Sequence, residues 1–290
     1  MGGIVEKITE FIKEILESWI LANLRSMFTD VNEKVGTIAE EVGKTPSTWN
    51  PGIFNMVKGL SENVIIPIAG MIISFVLIYE LINMVMDKNN MRDFDTSLFF
   101  RFFFKACIAV MLLTKTFDIV MAVFDVGNHV AGQTVGVITG STSVDVQETL
   151  VQMLENQVGE MGIGELFGLG LETMVISLCM KIMSVLITVI LYGRMIEIYL
   201  YISVAPLPAA TVTNREWGNI GTNYLKGLIA LAFQGFFIMV CVAIYAVLIR
   251  GITVADNLHT ALWATAAYTI ILCFSLFKTG SFAKSIFHAN

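Results

Sequence analysis

The sequence predicts an all-α fold: a polytopic transmembrane helical bundle of about six spans, preceded by an N-terminal amphipathic helix. Three observations predict it. Hydrophobic residues make up 56% of the chain and charged residues only 14%, with a mean hydropathy of +0.74. Ordinary globular chains hold roughly 45–50% and 25%, and a water-soluble domain has too little polar surface to hide such an excess. Apolar runs long enough to cross a hydrocarbon core of about 30 Å recur from Val64 onward. Finally, Lys and Arg are distributed unevenly between the connections, as they are around membrane spans.

Residues 4–28 carry apolar side chains at Ile4, Ile8, Phe11, Ile12, Ile15, Trp19, Ile20, Leu24 and Met27. This is the period of one helical face. Glu6, Lys7, Glu10, Lys13, Glu14 and Glu17 fill the other face, so the helix needs an apolar surface to lie on: the membrane interface or protein. An acidic excess on the polar face favours protein. Met1–Glu10 mixes charges with apolar residues and lacks the unbroken apolar core of a secretory signal, so the first span is expected to direct insertion. Residues 29–62 are polar, with a turn-rich link from Thr45 to Gly52 that includes Trp49, at the headgroup level or in a plain loop. Residues 1–62 thus read as helix plus linker, and 63–290 as the transmembrane domain.

Six spans follow, at about Val64–Met86, Leu98–Val123, Thr173–Tyr192, Met195–Val212, Leu225–Leu248 and Leu258–Phe277. Only Gly193 and Arg194 separate the third from the fourth, which makes a tight hairpin or one long helix; the hairpin is the expectation. Orientation comes from charge. The first connection and its flank carry Lys88, Arg92, Arg101 and Lys105, whereas residues 124–170 contain no Lys or Arg and hold six carboxylates. The first connection is therefore expected in the cytoplasm, with the acidic one and the N-terminus outside. Six spans leave the C-terminus outside and five leave it inside, the side that Lys278 and Lys284 favour. Val144–Val158 reads as a short amphipathic helix on the outer side.

Ionisable groups inside apolar runs cost about 2.5–3.5 kcal/mol each on insertion, so Glu80, Lys115, Asp118, Lys181 and Glu197 should face protein or water. Lys115 and Asp118 can pair at i, i+3, as can Arg194 and Glu197. Lys181 has no local partner, and Glu80 and Glu197 are the candidate counter-charges. A place on a substrate path and a structural ion pair both fit these residues. Pro206 and Pro208 interrupt the fourth span and free carbonyls at membrane depth; the break lines a cavity or hinge, or is a static kink. Gly132, Gly136 and Gly140 form a small-residue ladder suited to close packing between helices, here with a second copy, unless the segment is a flexible loop.

Catalytic signatures are missing. There is no phosphate loop and no nucleophile elbow, and His129, His259 and His288 stand apart from one another. The four cysteines lie singly in apolar runs and read as small apolar filler. No cofactor or metal is expected, and no enzyme.

The stretch from Ile198 through Ser203-Val204-Ala205-Pro206-Leu207-Pro208, then Thr213-Asn214-Arg215-Glu216-Trp217, Tyr224-Leu225-Lys226-Gly227 and Ala232-Phe233-Gln234-Gly235-Phe236, resembles the TrbL-type polytopic subunit of conjugative type IV secretion systems. This is the sixth VirB component, and the likeness is to the short form in integrative conjugative elements of Gram-positive bacteria. The resemblance is close over about 195–245 and loose over 60–290. It implies a channel or scaffold subunit in the cytoplasmic membrane, working with other secretion subunits and touching the DNA–relaxase substrate in transit; function through oligomeric packing, as a homo-oligomer, is the expectation. It carries over no catalytic residue. The modest central loop here puts substrate binding through that loop in doubt. The alternative is a secondary transporter or small-solute permease in which Lys181, Glu80 or Glu197 couples ions, although matching broken repeats are not visible; a holin-like protein is a third reading that six spans disfavour.

Overall fold

In hydrocarbon every backbone amide and carbonyl needs a partner within the chain, which restricts an apolar span to helix. Among the described residues all regular elements are helical. The structure, a computed structural model, describes residues 2–86, 96–142, 157, 161–252 and 258–289. In order they are α1 (Gly2–Gly43), α2 (Pro46–Trp49), α3 (Pro51–Leu60), a π-helical stretch (Ser61–Ile65), α4 (Ile66–Met86), α5 (Thr96–Thr114), α6 (Thr116–Thr142), α7 (Ile163–Val204), α8 (Pro206–Ala209), α9 (Gly218–Ile252) and α10 (Leu258–Ile286).

Among the described residues four helical stretches are long and apolar enough to cross a membrane: Pro51–Met86, Ile163–Val204, Gly218–Ile252 and Leu258–Ile286. A fifth arises if α5 and α6, bent by 66°, form one broken span. The expected six spans are therefore corrected to four or five. The hairpin at Gly193–Arg194 does not form; α7 runs through both residues for 42 residues. One glycine weakens a helix by only about 1 kcal/mol, too little to stop two apolar runs that both favour helix. The bend in the second span has a different origin, since no proline is near. Thr114 Oγ1 donates to the carbonyls of Val110 and Met111, and Thr116 Oγ1 to those of Leu112 (2.6 Å) and Leu113 (2.9 Å). Hydroxyls that compete for the previous turn's carbonyls bend a helix. The π-helical stretch has a proline cause. Pro67 lacks the amide that would bond Asn63, and the turn before it widens, with Ile66 N–H reaching Ser61 O.

The chain divides into two units. The first comprises Met1–Val42, Gly132–Leu191 and Phe237–Thr279. Here α1 extends to Gly43, through residues 29–43 that read as polar connection. Ile20, Leu24, Met27, Ile38 and Val42 are buried, while Ile4, Ile8, Phe11, Ile12 and Ile15 stay exposed. Trp19 covers Gly170 so closely that a methyl there would lie 2.4 Å from the ring. Lys34 donates to Thr188 Oγ1 at 3.0 Å. The later turns of α1 thus rest on α7 of the same chain, and the first turns keep an open apolar face. Tyr245 and Thr269 hydroxyls join α9 to α10 at 2.9 Å, and His259 meets Glu172 across α10 and α7.

The second unit comprises Gly43–Ala131, Tyr192–Phe236 and Gly280–Asn290. The turn-rich link becomes two capped starts. The Thr45 side chain caps α2 with Pro46 in its first turn, and Asn50 caps α3 with Pro51 following. Tyr199 donates to Pro46 O at 2.7 Å, and Trp49 stands edge-on to Tyr192 with centroids 5.3 Å apart. A core of Val57, Phe124, Ile198, Ile202, Leu228 and Leu231 joins α3, α6, α7 and α9. A smaller one joins Ala69 and Ile73 to Ala109, Leu113 and Ala210.

α6 carries Gly132, Gly136 and Gly140 in helix up to Thr142. Added methyls at Gly132 and Gly136 would meet nothing within 4 Å; the close approach lies at Gly127, where a methyl would sit 2.5 Å from the Ala232 carbonyl oxygen. The helix expected over Val144–Val158 falls, but for Gln157, outside the described residues. Gly127→Ala is expected to destabilise the protein by about 1–3 kcal/mol through overpacking, read as a lower unfolding midpoint in detergent. Gly132→Ala should leave that midpoint unchanged or raise it, and an equal loss at both positions would contradict the packing described.

Candidate functional site

α7 ends at Val204 because Pro206 and Pro208 cannot supply the next amides. Of the two carbonyls the prolines leave without an i+4 amide, Ile202 O and Val204 O, the first accepts from Ala205 N–H at 3.3 Å, and the turn beyond bonds itself. Pro206 sits in the first turn of α8, where a missing N–H costs nothing. Ala209 N–H bonds Ala205 O at 3.2 Å, Ala210 N–H bonds Pro206 O at 3.1 Å, and Thr211 brings both its amide and its hydroxyl to Pro208 O. Asn214, 4% exposed, then organises the turn that leads into α9. Its Oδ1 accepts from the amides of Glu216 and Trp217, each at 2.8 Å, and its own carbonyl accepts from Gly218 N–H. Gly221 lets α9 close on this turn: a methyl there would lie 2.3 Å from Val212 and 2.7 Å from Pro208 O.

The bend at Lys115 and the break at Pro206 face each other. Thr116 and Val120 on one side, and Ala205, Ala209 and Tyr224 on the other, line a cavity of about 60 Å³. Its polar atoms are already engaged. Thr116 bonds its own helix, and Tyr224 donates to Tyr201 O at 2.8 Å. Tyr201 and Tyr224 stack at 5.5 Å, and Gly227 lies under the Tyr201 hydroxyl. A void of about two water volumes without free polar partners stays dry, so it is a packing defect between two distorted helices rather than a solute site.

The charges regroup relative to the sequence reading. Glu80 is paired with Lys105 of α5, and Asn214 Nδ2 donates to its other oxygen at 3.4 Å. Tyr79 donates to Glu216 at 3.0 Å, and Phe75, Tyr79 and Trp217 stack with planes 11° apart between each outer ring and Trp217. α4 thereby holds the segment that follows the proline break. The local pair expected between Arg194 and Glu197 is not formed. Glu197 instead accepts from Lys284 of α10 at 2.7 Å, because helix-to-helix contact brings a lysine nearer than the turn does. Arg194 is buried at 5% exposure, and its Nε has no hydrogen-bond partner among the described residues. Lys115 and Asp118 do pair, at 3.3 Å, but both are more than half exposed, a setting in which ion pairs contribute little. Lys181 is exposed on α7 and makes no ion pair among the described residues, so neither candidate counter-charge reaches it.

Sequence reading missed Asn214, Lys105 as the partner of Glu80, and Lys284 as that of Glu197. The turn contacts of Asn214 and the two pairings alike depend on how the chain folds back on itself. Among the described residues no three His, Cys, Asp or Glu side chains converge on a metal position. Asn214→Ala is expected to lower stability by about 1–2 kcal/mol, the scale of a lost cap, measured by thermal unfolding in detergent. Arg215→Ala, at an exposed neighbour, should leave the midpoint in place.

No curated protein and no solved structure matches this chain. The family described as TrbL/VirB6 plasmid conjugal transfer like protein matches residues 31–206, from within α1 to the first residue of α8. The match takes in the bent span, the whole of α7 and the onset of the proline break. With well over half its length matched, and with a helical fold carrying several membrane-spanning helices, the chain belongs to the TrbL/VirB6 plasmid conjugal transfer family.

Proposed function

We propose that this protein is an integral channel or scaffold subunit of a type IV secretion machine for conjugative DNA transfer, resident in the cytoplasmic membrane as a homo-oligomer among other secretion subunits. Membership of the conjugal transfer family carries the reading. The exposed face of α7 supports the oligomer. It runs from Phe167 through Leu178, Val185 and Ile196 to Val204, on a helix of 42 residues, which is about 63 Å long. A hydrocarbon core of about 30 Å covers half of that, and an apolar stripe outside lipid is stable when covered by protein. The Gly132, Gly136 and Gly140 ladder is a second surface suited to another copy.

Five spans with the N-terminus outside put the C-terminus, with Lys278 and Lys284, in the cytoplasm. They put the acidic connection outside, where it meets protein partners rather than bare DNA. The Glu80–Asn214 contact agrees with that arrangement, since the α4–α5 and α7–α9 connections then share the cytoplasmic side. The DNA–relaxase substrate would touch the subunit only in passage. Arg194 is the residue we place at a partner or substrate contact, because a buried guanidinium without a partner is costly and otherwise purposeless.

Cysteines placed at Asn90 and Ser143, in a background lacking the four native cysteines, should report opposite sides of the membrane. Asn90 should label only after permeabilisation, and labelling of both in intact cells would overturn the topology. Arg194→Met should keep or raise stability, since an unpaired buried charge is replaced by an apolar chain of similar length, yet reduce conjugative transfer at least tenfold in a mating assay at equal protein level. Unchanged transfer would remove Arg194 from the proposed contact. Saturable binding of a small solute by the purified protein alone would favour a permease over a machine subunit.

A further inference from the structure

The second unit holds a pocket of about 620 Å³ at the end of α4, the start of α5 and the turn leading into α9. Its polar lining is Glu80, Asn83, Arg101, Lys105, Arg215 and Glu216. The carboxylates there are engaged, Glu80 by Lys105 and Asn214, and Glu216 by the Tyr79 hydroxyl. Arg101 and Arg215 make no ion pair or hydrogen bond among the described residues. Three cations against two carboxylates leave the pocket net positive, and the surplus sits on two guanidiniums. Their planar fork of donors matches the oxygens of a phosphate.

The surroundings are apolar and open. Arg101 and Lys105 lie one turn apart on α5, and between and beside them Phe99, Phe100, Phe103 and Phe104 are 56–68% exposed. On α4, Leu81, Ile82 and Val85 are exposed as well. A cationic pocket set at the end of two lipid-facing helices is the shape of an amphiphile's binding site, with charge at the headgroup level and aromatic surface along the chains. Single-stranded nucleic acid fits less well, because it is tracked by a run of basic groups rather than by one pocket rimmed with exposed apolar side chains.

We propose that this pocket binds the phosphate of an anionic phospholipid, with the phosphodiester oxygens on Arg101 and Arg215 and the acyl chains along the exposed phenylalanines of α5. A zwitterionic choline lipid is disfavoured because it brings a second cation to a site already in positive excess. The inference rests on the membrane-spanning helices and not on the role in DNA transfer.

The test is native mass spectrometry of the purified full chain in detergent, with phosphatidylglycerol, phosphatidylcholine, inorganic phosphate or a single-stranded oligonucleotide added. Wild type should retain phosphatidylglycerol over phosphatidylcholine, and each of Arg101→Gln and Arg215→Gln should reduce that preference by about fivefold, the scale of one basic residue near an anionic surface. The double variant should abolish it, and Lys115→Gln, an exposed cation elsewhere, should leave it intact. Both arginines are exposed, so folding should survive, checked by elution volume and helical circular dichroism. The assignment is overturned if wild type shows no preference, if the double variant keeps it, or if inorganic phosphate or the oligonucleotide binds with the same arginine dependence and displaces the lipid. Loss of lipid preference with full mating efficiency would still uphold the site, since the two readings stand apart.

Discussion

The structure depends on one constraint: at membrane depth the chain must satisfy its own backbone. Where α7 meets Pro206 and Pro208, two amides are missing and the helix cannot continue. The solution is local and dense. Thr211 turns back onto Pro208, Asn214 takes the amides of Glu216 and Trp217 in the turn before α9, and Gly221 is small enough to let the two segments close. Asn214 also reaches Glu80, so the residue that organises the turn fastens it to α4. The bend at Lys115 answers the same constraint in the opposite way. There the amides are present, and threonine hydroxyls add extra donors to the preceding carbonyls until the helix gives way.

Placing these two distortions against each other limits what the region can do. A broken helix in a membrane protein is commonly a place where freed carbonyls and helix ends bind ions or solute. Here the Ile202 carbonyl is taken by Ala205 N–H, the turn beyond bonds itself, and the cavity beside it is small and lined mainly by apolar side chains. Stacked Tyr201 and Tyr224, with Gly227 against the Tyr201 ring, join α7 to α9 beside the break.

The intramembrane charges divide by how they are compensated. Glu80 and Glu197 are neutralised across helices by Lys105 and Lys284, which staple α4 to α5 and α7 to α10. Lys115 and Asp118 compensate each other on an exposed face. Arg194 is buried and has no such partner for its Nε, while Arg101 and Arg215 stand exposed over a pocket. The compensated pairs explain why several charges are tolerable in so apolar a chain. The uncompensated ones are where a further molecule would make the largest difference.

The all-α membrane fold was legible from composition and run length, because bilayer thickness converts directly into a count of apolar residues. So was the site of the proline break, because a missing amide is a property of the residue and not of its surroundings. The amphipathic period of α1 was legible too, although its extent was not: residues 29–43 are polar, yet helix continues because those turns lie on α7. The hairpin at Gly193 failed because a weak local signal competed with tertiary continuity, and the bend within the second span at Thr114 and Thr116 was not foreseen because it depends on which carbonyls their hydroxyls find. Pairing partners were beyond reach for the same reason. Glu197 has a basic residue three positions away in sequence and chooses one 87 positions away in the fold, since helix packing, not sequence spacing, sets which charges meet. Local chemistry therefore determined the class of fold and where its helices could not continue, and only tertiary contact decided which helices stay whole and which charges are answered.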